Sequence, residues 1–410
     1  MRLPLLLACL CAAPAQAETL RVAIYNASLS ADAPGALLAA LEAGTSDRAA
    51  AVAEIVQRVN PDILLLAEID HDPEGRTAAA FNDNFLAVSQ NGAAPIRDYD
   101  WSHAAPSNTG RLSGRDLDGD GRVATPADIG TRAYGNDSWG YGEFPGQYAF
   151  ALFSRLPIVA EEVRSFRRFL WRDMPGALLT TDAALAAYHG ENAEVLRLSS
   201  KSHVDVPVRL PGGGVLHLLA SHPTPPVFDG PEDRNGKRNH DEIRFWAEYV
   251  AGADWPVDDA GRTGGLAPGA RFVILGDLNA DPFDGDSHRD AARLLTDHPL
   301  VQGSATDPAL TPASEGAVAA AARQGGANAE HAGPAAFDTA DFGFDPQAPG
   351  TDRAPGNVRV DYVLPSKAGL RTTEGGVFWL TEDDPLWPLG EWPTSDHRLV
   401  WIDVEIVPGE

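Results

Sequence analysis

Cysteine is almost absent from this chain: its 410 residues include two, Cys9 and Cys11. Both lie near the N-terminus, so a chain without residues 1–17 has neither a disulfide nor a thiolate. Cysteine nucleophiles and thiolate metal sites, such as those that hold structural zinc, are therefore excluded from the rest of the protein. Any metal bound there must be held by oxygen or imidazole ligands.

Positive charge is scarce as well. Lys and Arg number 32 against 58 Asp and Glu, which gives a formal net charge of -26 at pH 7. Such an acidic surface disfavours non-specific attraction to nucleic acid or anionic lipid, and it fits the binding of divalent cations. The length is compatible with one large domain or with two, so it does not decide the domain count.

Long apolar runs are missing beyond the first residues. Arg2 is followed by an apolar stretch over 3–13 and by Ala15-Gln16-Ala17, the pattern of a secretory signal over residues 1–17. A membrane span needs roughly 20 apolar residues, so we predict no transmembrane segment and a secreted or periplasmic protein. Two alternatives stay open. One is an ordinary N-terminal strand or helix, and the other is a lipoprotein signal around Cys9 with a very short apolar region.

Apolar periodicity predicts an α/β architecture. Residues 20–25 alternate as a β-strand, a helix capped by Ser46 follows and ends at Asn60-Pro61, and 62–67 form a buried strand. A strand, a helix and a second strand in this order are typical of an α/β sheet. Further strands are predicted over 148–153, 215–220, 271–275, 358–364 and 399–407, with a helix that begins near Asn239.

Two stretches lack such periodicity and are interpreted as insertions. Residues 91–146 are rich in Gly, Asp, Asn and Ser, and residues 303–356 are dominated by Ala, Gly, Pro and Asp. We therefore predict that residues 18–410 form one domain with insertions near 91–146 and 303–356.

Polar residues collect where apolar strands end. In α/β sheets, ligands bind at the carboxyl ends of the strands, where several loops converge. Oxygen ligands suit Mg²⁺, Mn²⁺ or Ca²⁺, and histidines can protonate a leaving oxygen or hold a phosphate. Each such residue alone is an ordinary turn or surface residue, but together they indicate one site. The residues are Asn26, Glu68, His222, Asp277, Asn279, Asp361, Asp396 and His397.

These residues lie in short motifs whose order resembles that of the endonuclease/exonuclease/phosphatase family, typified by pancreatic deoxyribonuclease. The Gly-Asp-x-Asn and Ser-Asp-His motifs are the most specific. The resemblance implies a four-layer α/β/β/α sandwich with two packed mixed β-sheets and the site at one edge. The motifs are Ile24-Tyr25-Asn26, Leu66-Ala67-Glu68, Ser221-His222-Pro223, Gly276-Asp277-Leu278-Asn279, Arg359-Val360-Asp361-Tyr362 and Ser395-Asp396-His397.

The resemblance also implies a metal site and a base. Glu68 would bind the catalytic Mg²⁺ or Mn²⁺, with Asn26 and Asp396 nearby as ligands or supports. Asp277 would orient or deprotonate the attacking water, and Asn279 would donate to a phosphate oxygen. A metal ion and positioned donors are needed because the transition state of phosphoryl transfer spreads charge over the peripheral oxygens.

Two histidines complete the implied site. His222 would bind the phosphate or assist the leaving group. His397, oriented by Asp361, would stabilise the pentavalent transition state, since a carboxylate beside an imidazole favours its protonated form. How acid–base work divides between the two histidines stays open.

Two further features lie outside those motifs. Asp116, Asp118 and Asp120 have the spacing of an EF-hand calcium loop, but the closing acid, Asp128, falls at position thirteen instead of twelve. A structural Ca²⁺ site and a solvated acidic turn are both open. The basic cluster Arg234, Lys237 and Arg238 could grip a second phosphate or could be the solvated start of a helix.

These patterns predict a secreted, divalent-metal-dependent phosphoesterase that hydrolyses phosphodiester or phosphomonoester bonds by in-line attack of activated water. Its substrate would be a small molecule, a lipid head group or nucleic acid, and no obligate protein partner is indicated. The alternative is a catalytically inert binding module on the same fold. Absence of Glu68, Asp277 or His397 would favour that alternative, and all three are present.

Overall fold

The computed structural model describes residues 18–343 and 354–407, so the predicted signal peptide with both cysteines lies outside the described residues. The strands are β1 (Thr19–Asn26), β2 (Ile63–Ala67), β3 (Trp101–Ala104), β4 (Phe150–Ser154), β5 (Arg164–Ser165), β6 (His203–Arg209), β7 (Val215–Ser221), β8 (Arg271–Asp277), β9 (Ala340–Phe342), β10 (Gly356–Val358), β11 (Asp361–Pro365), β12 (Leu370–Val377) and β13 (Val400–Ile406). The α-helices are α1 (Ala36–Ala43), α2 (Asp47–Val59), α3 (Arg76–Phe81), α4 (Arg132–Asn136), α5 (Leu178–Thr181), α6 (Ala183–His189), α7 (Arg234–Val250), α8 (Arg293–Thr296) and α9 (Glu315–Gln324).

Eleven of these strands form two large mixed sheets, and β9 and β10 form a separate two-stranded sheet. A six-stranded sheet has the order β12-β13-β1-β2-β4-β3, and a five-stranded sheet has the order β11-β8-β7-β6-β5. In each sheet one central pair is parallel, β1 with β2 and β7 with β8, while the neighbouring pairs are antiparallel. The carboxyl ends of each parallel pair therefore lie at one edge of its sheet.

Successive side chains of the central strands point to opposite faces of their sheet, and this alternation explains how the sheets and helices stack in layers. Ile24 and Leu218 belong to a core between the two sheets, whereas the next residues, Tyr25 and Leu219, point to the outer layers. The outer face of the six-stranded sheet packs against α1, α2 and α3, and that of the five-stranded sheet packs against α5, α7 and α8. Strands buried on both faces read as continuous apolar runs. This arrangement confirms the predicted four-layer α/β/β/α sandwich.

The structure confirms the predicted start and end of α2, but α7 begins earlier than predicted. The Ser46 hydroxyl accepts a hydrogen bond from the Ala49 N–H at 3.1 Å, and Asn60 ends α2 in the left-handed region with φ 54°. Helix α7 begins at Arg234, five residues before the predicted start near Asn239. Its polar first turn carries no apolar periodicity, so the pattern does not reveal that turn.

The predicted strand over 358–364 is interrupted in the structure. Strand β10 ends at Val358 and β11 begins at Asp361. Between them the Arg359 N–H donates to Asp281 at 2.7 Å, and the Val360 and Asp361 N–H groups both donate to the Thr339 hydroxyl at 3.0 Å. Side chains therefore replace the ladder hydrogen bonds here, which an apolar run cannot indicate.

The two stretches interpreted as insertions contain some regular structure. Residues 91–146 contribute β3 at the edge of the six-stranded sheet, together with α4. Residues 303–356 contribute α9 and β9, although 344–353 lie outside the described residues. No helix in the described ranges combines the length and apolarity that crossing a membrane requires.

Candidate active site

The two sheets meet at a buried contact between strand ends. Asn26 is the last residue of β1 and Asp277 the last residue of β8, and both side chains are buried. The Asn26 Nδ2 donates to Asp277 Oδ2 at 2.9 Å, which links one sheet to the other. Glu68 follows β2 and His222 follows β7, so both parallel strand pairs deliver polar side chains to this edge.

The Asp277 carboxylate is the centre of this arrangement. Its Oδ2 lies 3.3 Å from His222 Nε2 and 3.7 Å from His397 Nε2, and its Oδ1 accepts the Asn279 N–H at 2.9 Å. Burial opposes its ionisation, but His397 and His222 together hold the pKa of Asp277 below its usual range. Asp277 is therefore a carboxylate at neutral pH, as a base must be.

His397 and Asp361 form a buried pair. His397 Nδ1 lies 2.9 Å from Asp361 Oδ2, and the same oxygen accepts the Thr339 hydroxyl at 2.9 Å. Burial favours the neutral imidazole, but the charges of Asp361 and Asp277 outweigh it and raise the pKa of His397 to about 10. Burial also raises the pKa of Asp361, to about 6, so the pair is an imidazolium and a carboxylate between these values.

His222 has the opposite electrostatic environment. Burial, reinforced by the nearby charge of Lys201, lowers the pKa of His222 below its ordinary value. Its Nδ1 is buried without a hydrogen-bond partner in the described part of the chain. At neutral pH the site thus combines a neutral His222 with a charged His397, a difference that the motifs do not reveal.

The expected metal ligands stand beside this group. Glu68 has a left-handed backbone, with φ 55°, and within the described residues its carboxylate accepts no hydrogen bond. Ser28 connects the other two expected ligands, Asn26 and Asp396. Its N–H donates to Asn26 Oδ1 at 3.1 Å, and its hydroxyl donates to Asp396 Oδ1 at 2.7 Å. Hard oxygen donors with one carboxylate left unpaired fit a Mg²⁺ or Mn²⁺ ion at Glu68.

Oxygen and nitrogen atoms of Asp277, Asp361 and His397 also lie within 4.8 Å of one another. A cation ligated by Asp361 and His397 would have to break the hydrogen bond between them. The unpaired Glu68 carboxylate is therefore a better candidate for a metal ligand than this hydrogen-bonded pair.

Lys201 is a site residue that the sequence analysis did not identify. It lies just before β6, its side chain is buried, and its Nζ donates to the Pro223 carbonyl at 3.3 Å, next to His222. Burial lowers the pKa of this ammonium group, and the charges of Glu242, Asp277 and Glu68 oppose that shift. A lysine beside a serine-rich stretch looks like a surface residue in the sequence, so no pattern pointed to it.

The sequence comparison agrees with this geometry. The model of the Endonuclease/Exonuclease/phosphatase family matches residues 26–397, from Asn26 of the contact between the sheets to His397 of the buried pair. The chain belongs to this family. Members of the family are metal-dependent phosphoesterases and nucleases.

Several solved structures are similar to this family member. An endonuclease/exonuclease/phosphatase from Beutenbergia cavernae is 17% identical with a TM-score of 0.47, and the match covers 95% of this chain and 72% of that one. Sphingomyelinase C from Streptomyces griseocarneus is 15% identical with a TM-score of 0.43, and coverage is 94% and 99%. A family protein from Bacteroides thetaiotaomicron is 14% identical with a TM-score of 0.45, and coverage is 96% and 100%. A comparison with curated proteins found no match.

In this family member, a cavity of about 580 Å³ opens beside Glu68 and Lys201. Glu68, Lys201 and Thr224 lie in its wall close to His222. Much of the remaining wall comes from residues 117–141 of the first insertion, from the end of α6 and from the start of α7. The insertion therefore shapes the space into which a substrate would extend.

The basic residues in the first turns of α7 are largely committed to internal contacts. Lys237 Nζ lies 2.9 Å from Asp182 and donates to the Glu232 carbonyl at 2.7 Å. Arg234 pairs with Glu232 and lines the cavity. Arg238 also lines the cavity, but its guanidinium donates to three backbone carbonyls, those of Trp139, Arg197 and Leu198, each at 2.9 Å. Arg234 also donates to the Phe228 carbonyl at 3.1 Å, so all three side chains make internal contacts.

Replacing Arg238 with Ala should destabilise the protein. Three carbonyls would lose a charged donor, and each buried group left without a partner costs about 1–3 kcal/mol, so a loss of about 3 kcal/mol in the free energy of unfolding is expected. Urea denaturation would measure it, with Arg115→Ala as the control, because Arg115 is exposed and forms no salt bridge within the described residues. Equal stability of the two variants would contradict a structural role for Arg238.

The sequence offers Asp116, Asp118, Asp120 and Asp128 of the acidic loop over residues 116–128 as candidate Ca²⁺ ligands, but the structure brings together a different set of carboxylates. Oxygens of Asp116, Asp118 and Asp137 lie within 4.8 Å of one another. Asp120 is outside this group and accepts the Arg122 N–H at 2.7 Å. Asp128 is also outside it, because its carboxylate accepts the Thr125 N–H at 2.8 Å and pairs with Arg122. Asp137 lies far beyond a twelve-residue loop in sequence, so the loop pattern does not include it.

If Ca²⁺ binds this loop, it should raise the melting temperature of an Asp277→Asn variant, in which the catalytic site is impaired. Ligand binding to the native state stabilises it by about 2.7 kcal/mol at one hundred times Kd. Asp118→Asn should remove the increment, whereas Asp128→Asn should retain it. An increment that survives Asp118→Asn would place the calcium elsewhere.

Proposed function

We propose that this protein is a secreted phosphoesterase that uses Mg²⁺ or Mn²⁺ to hydrolyse phosphodiester or phosphomonoester bonds by in-line attack of water. The observation that carries the proposal is the buried Asp277 carboxylate, which accepts from Asn26 Nδ2 at 2.9 Å and lies 3.3 Å from His222 Nε2 and 3.7 Å from His397 Nε2. Base, acid and phosphate-binding groups are thereby present within a few ångströms. Their completeness disfavours an inert binding module on the same fold.

Each residue has a distinct part in the proposed reaction. Asp277 orients the water and accepts its proton as the water oxygen forms the new bond to phosphorus. His397, held charged by Asp361, donates a hydrogen bond to the phosphoryl oxygens as negative charge develops on them. The bond from phosphorus to the leaving oxygen breaks, and that oxygen takes up a proton supplied through the histidines.

The remaining groups bind and orient the phosphate. Asn279 and the Lys201 ammonium supply donors at the same edge, and Lys201 adds a positive charge that attracts the phosphate. Ser28 links Asn26 to Asp396, and the Ser30 hydroxyl donates to the Glu68 carbonyl at 3.2 Å. Glu68 would hold a divalent ion, which would supply Lewis-acid polarisation of the phosphoryl oxygens.

The substrate we propose is a small or exposed phosphoester instead of a long duplex. A protein that follows a duplex through its phosphates presents a basic stripe and loses affinity steeply with salt. This chain carries a net charge of -26, and Lys237 and Arg238 of the basic cluster in α7 are bound internally. Contacts to the substrate would therefore concentrate around the scissile phosphate.

The test is an activity panel. The purified protein would be assayed against phosphomonoesters, phosphodiesters and single- and double-stranded nucleic acid with Mg²⁺, Mn²⁺ or Ca²⁺. We expect turnover of small phosphoesters that chelation abolishes. Absence of turnover on every compound would refute the enzymatic function, and tight duplex binding in metal-free buffer would refute the proposed substrate range.

A further inference from the structure

The cavity beside the catalytic residues is larger than a phosphate requires. Its volume of about 580 Å³ lies within the range of about 300–1,000 Å³ that small-molecule and cofactor sites occupy. Glu68 and Lys201 lie in the cavity wall, and Lys201 contacts the Pro223 carbonyl next to His222. A phosphate held by Glu68 and Lys201 would therefore direct the rest of the substrate into the cavity. The lining of the cavity therefore reports on the chemistry of that remainder.

The charge of the lining favours an anion. Arg132, Lys201, Arg234 and Arg238 line the cavity, against two acids, Glu68 and Asp118. Among the described residues, neither Arg132 nor Lys201 forms a salt bridge with a carboxylate. An excess of cations in the cavity of a strongly acidic protein attracts negative groups and disfavours a cationic head group.

The exposed rim of the cavity is aromatic. Phe228 is 82% exposed, Tyr141 45% and Tyr188 40%. The Arg234 guanidinium lies 5.1 Å from the centre of the Tyr188 ring, so a cation already stacks on one of these rings. Large aromatic side chains grouped around a cavity mouth offer stacking faces to a planar ligand.

The inner wall has unused hydrogen-bonding groups. The Thr224 hydroxyl and both ring nitrogens of His189 are buried without a partner in the described part of the chain, and both residues line the cavity. Burial, together with the charges of Arg238 and Arg234, lowers the pKa of His189 to about 4, so at neutral pH its ring offers one donor and one acceptor. A ligand with donors and acceptors on its edge would satisfy these groups.

We infer that this cavity binds the base, sugar and further phosphate of a small nucleotide, with the phosphate to be cleaved at the end formed by Glu68 and Lys201. A nucleotide combines the three properties that the lining selects: additional negative charge, a planar ring and polar edges. The inference rests on the proposed phosphoesterase function and names its substrate class. Phe228 and Arg132 are specificity-determining residues in this arrangement.

Direct binding tests the inference without turnover. Calorimetry on the full-length Asp277→Asn protein would compare ADP with glycerol 3-phosphate, which has the phosphate but no ring. We expect ADP to bind at least about tenfold more tightly, since stacking of a base on an aromatic ring is worth about 1–3 kcal/mol. Phe228→Ala and Arg132→Ala should each weaken ADP about tenfold, and Phe228→Ala should leave glycerol 3-phosphate unchanged.

Two controls match these variants. Arg115→Ala removes an exposed arginine of the same insertion that does not line the cavity, and Leu300→Ala removes an exposed apolar side chain remote in sequence. Neither should alter ADP binding. Equal affinities for ADP and glycerol 3-phosphate, or control variants that weaken ADP as much as Phe228→Ala, would overturn the inference.

The activity panel separates this inference from the proposed function. If wild-type protein hydrolyses phosphoesters but ADP binding is insensitive to Phe228 and Arg132, the cavity assignment is wrong while the reaction stands. If ADP binds through Phe228 and Arg132 but no phosphoester is hydrolysed, the cavity assignment is supported and the reaction is wrong.

Discussion

Replacing Asp277 with Asn should lower kcat by about 10³-fold or more while leaving the fold intact. The amide has the shape of the carboxylate and can still contact Asn26, but it can neither accept a proton from water nor balance the charge of His397. The environment that holds the pKa of Asp277 low indicates that this charge is built into the folded site. Steady-state kinetics at saturating Mg²⁺ would measure the loss.

The matched control is Asp286→Asn, which makes the same substitution at an exposed position of the loop after β8. Its kcat should equal that of the wild type. Circular dichroism would establish that the Asp277→Asn protein is folded, and chelation of the wild type should give a comparable loss that Mg²⁺ or Mn²⁺ restores. A near-wild-type rate in Asp277→Asn would remove Asp277 from the roles of base and water-orienting group.

The residues that the sequence places correctly are those at the ends of continuous apolar strands. Asn26 and Asp277 end β1 and β8, and a parallel neighbour in each sheet carries Glu68 and His222 to the same edge. Strand ends can be read from apolar runs because strands buried on both faces have no polar interruption. The edge at which the site lies was therefore accessible from local patterns combined with the family resemblance.

The residues that the sequence does not reveal depend on tertiary contacts. Thr339 reaches Asp361 from a separate segment, and Lys201 reaches the Pro223 carbonyl from the segment before β6. Asp137 approaches Asp116 and Asp118 although it is distant in sequence. None of these residues ends a strand or belongs to a periodic pattern, so only the packing of separate segments brings them to their places.

The electrostatic role of a charged residue also depends on tertiary contacts. Arg234, Lys237 and Arg238 look like one basic cluster in the sequence, but each has its own partners: Arg234 pairs with Glu232, Lys237 with Asp182, and Arg238 donates to three carbonyls. Likewise, His222, which follows β7, and His397, which precedes β13, have opposite pKa shifts. Burial and the charge of Lys201 lower the pKa of His222, whereas the charges of Asp361 and Asp277 outweigh burial and raise the pKa of His397. Electrostatic roles follow from neighbours in space, which a residue type alone does not specify.

His397 and Asp361 should act as a single functional unit. We expect His397→Ala and Asp361→Asn each to lower kcat/KM by about 10²–10⁴-fold, and the double variant to be little worse than either, because the imidazole is effective only when Asp361 orients and charges it. A double-mutant cycle on kcat/KM measures this coupling. Losses that simply add would show that the two residues work independently, despite the 2.9 Å contact between them.

The pH profile distinguishes this coupling from a general loss of structure. In the wild type, the charges of Asp361 and Asp277 raise the pKa of His397 to about 10, so the imidazolium persists well above neutral pH and is lost as the pH rises through that value. Asp361→Asn removes the nearer charge while burial still favours the neutral ring. The alkaline limb of kcat/KM should therefore move to lower pH by about two units.

Thr339→Val, which removes a hydroxyl bonded to Asp361 but no charge, should shift the limb much less. An alkaline limb that stays in place in Asp361→Asn would mean that the protonation of His397 does not control the rate.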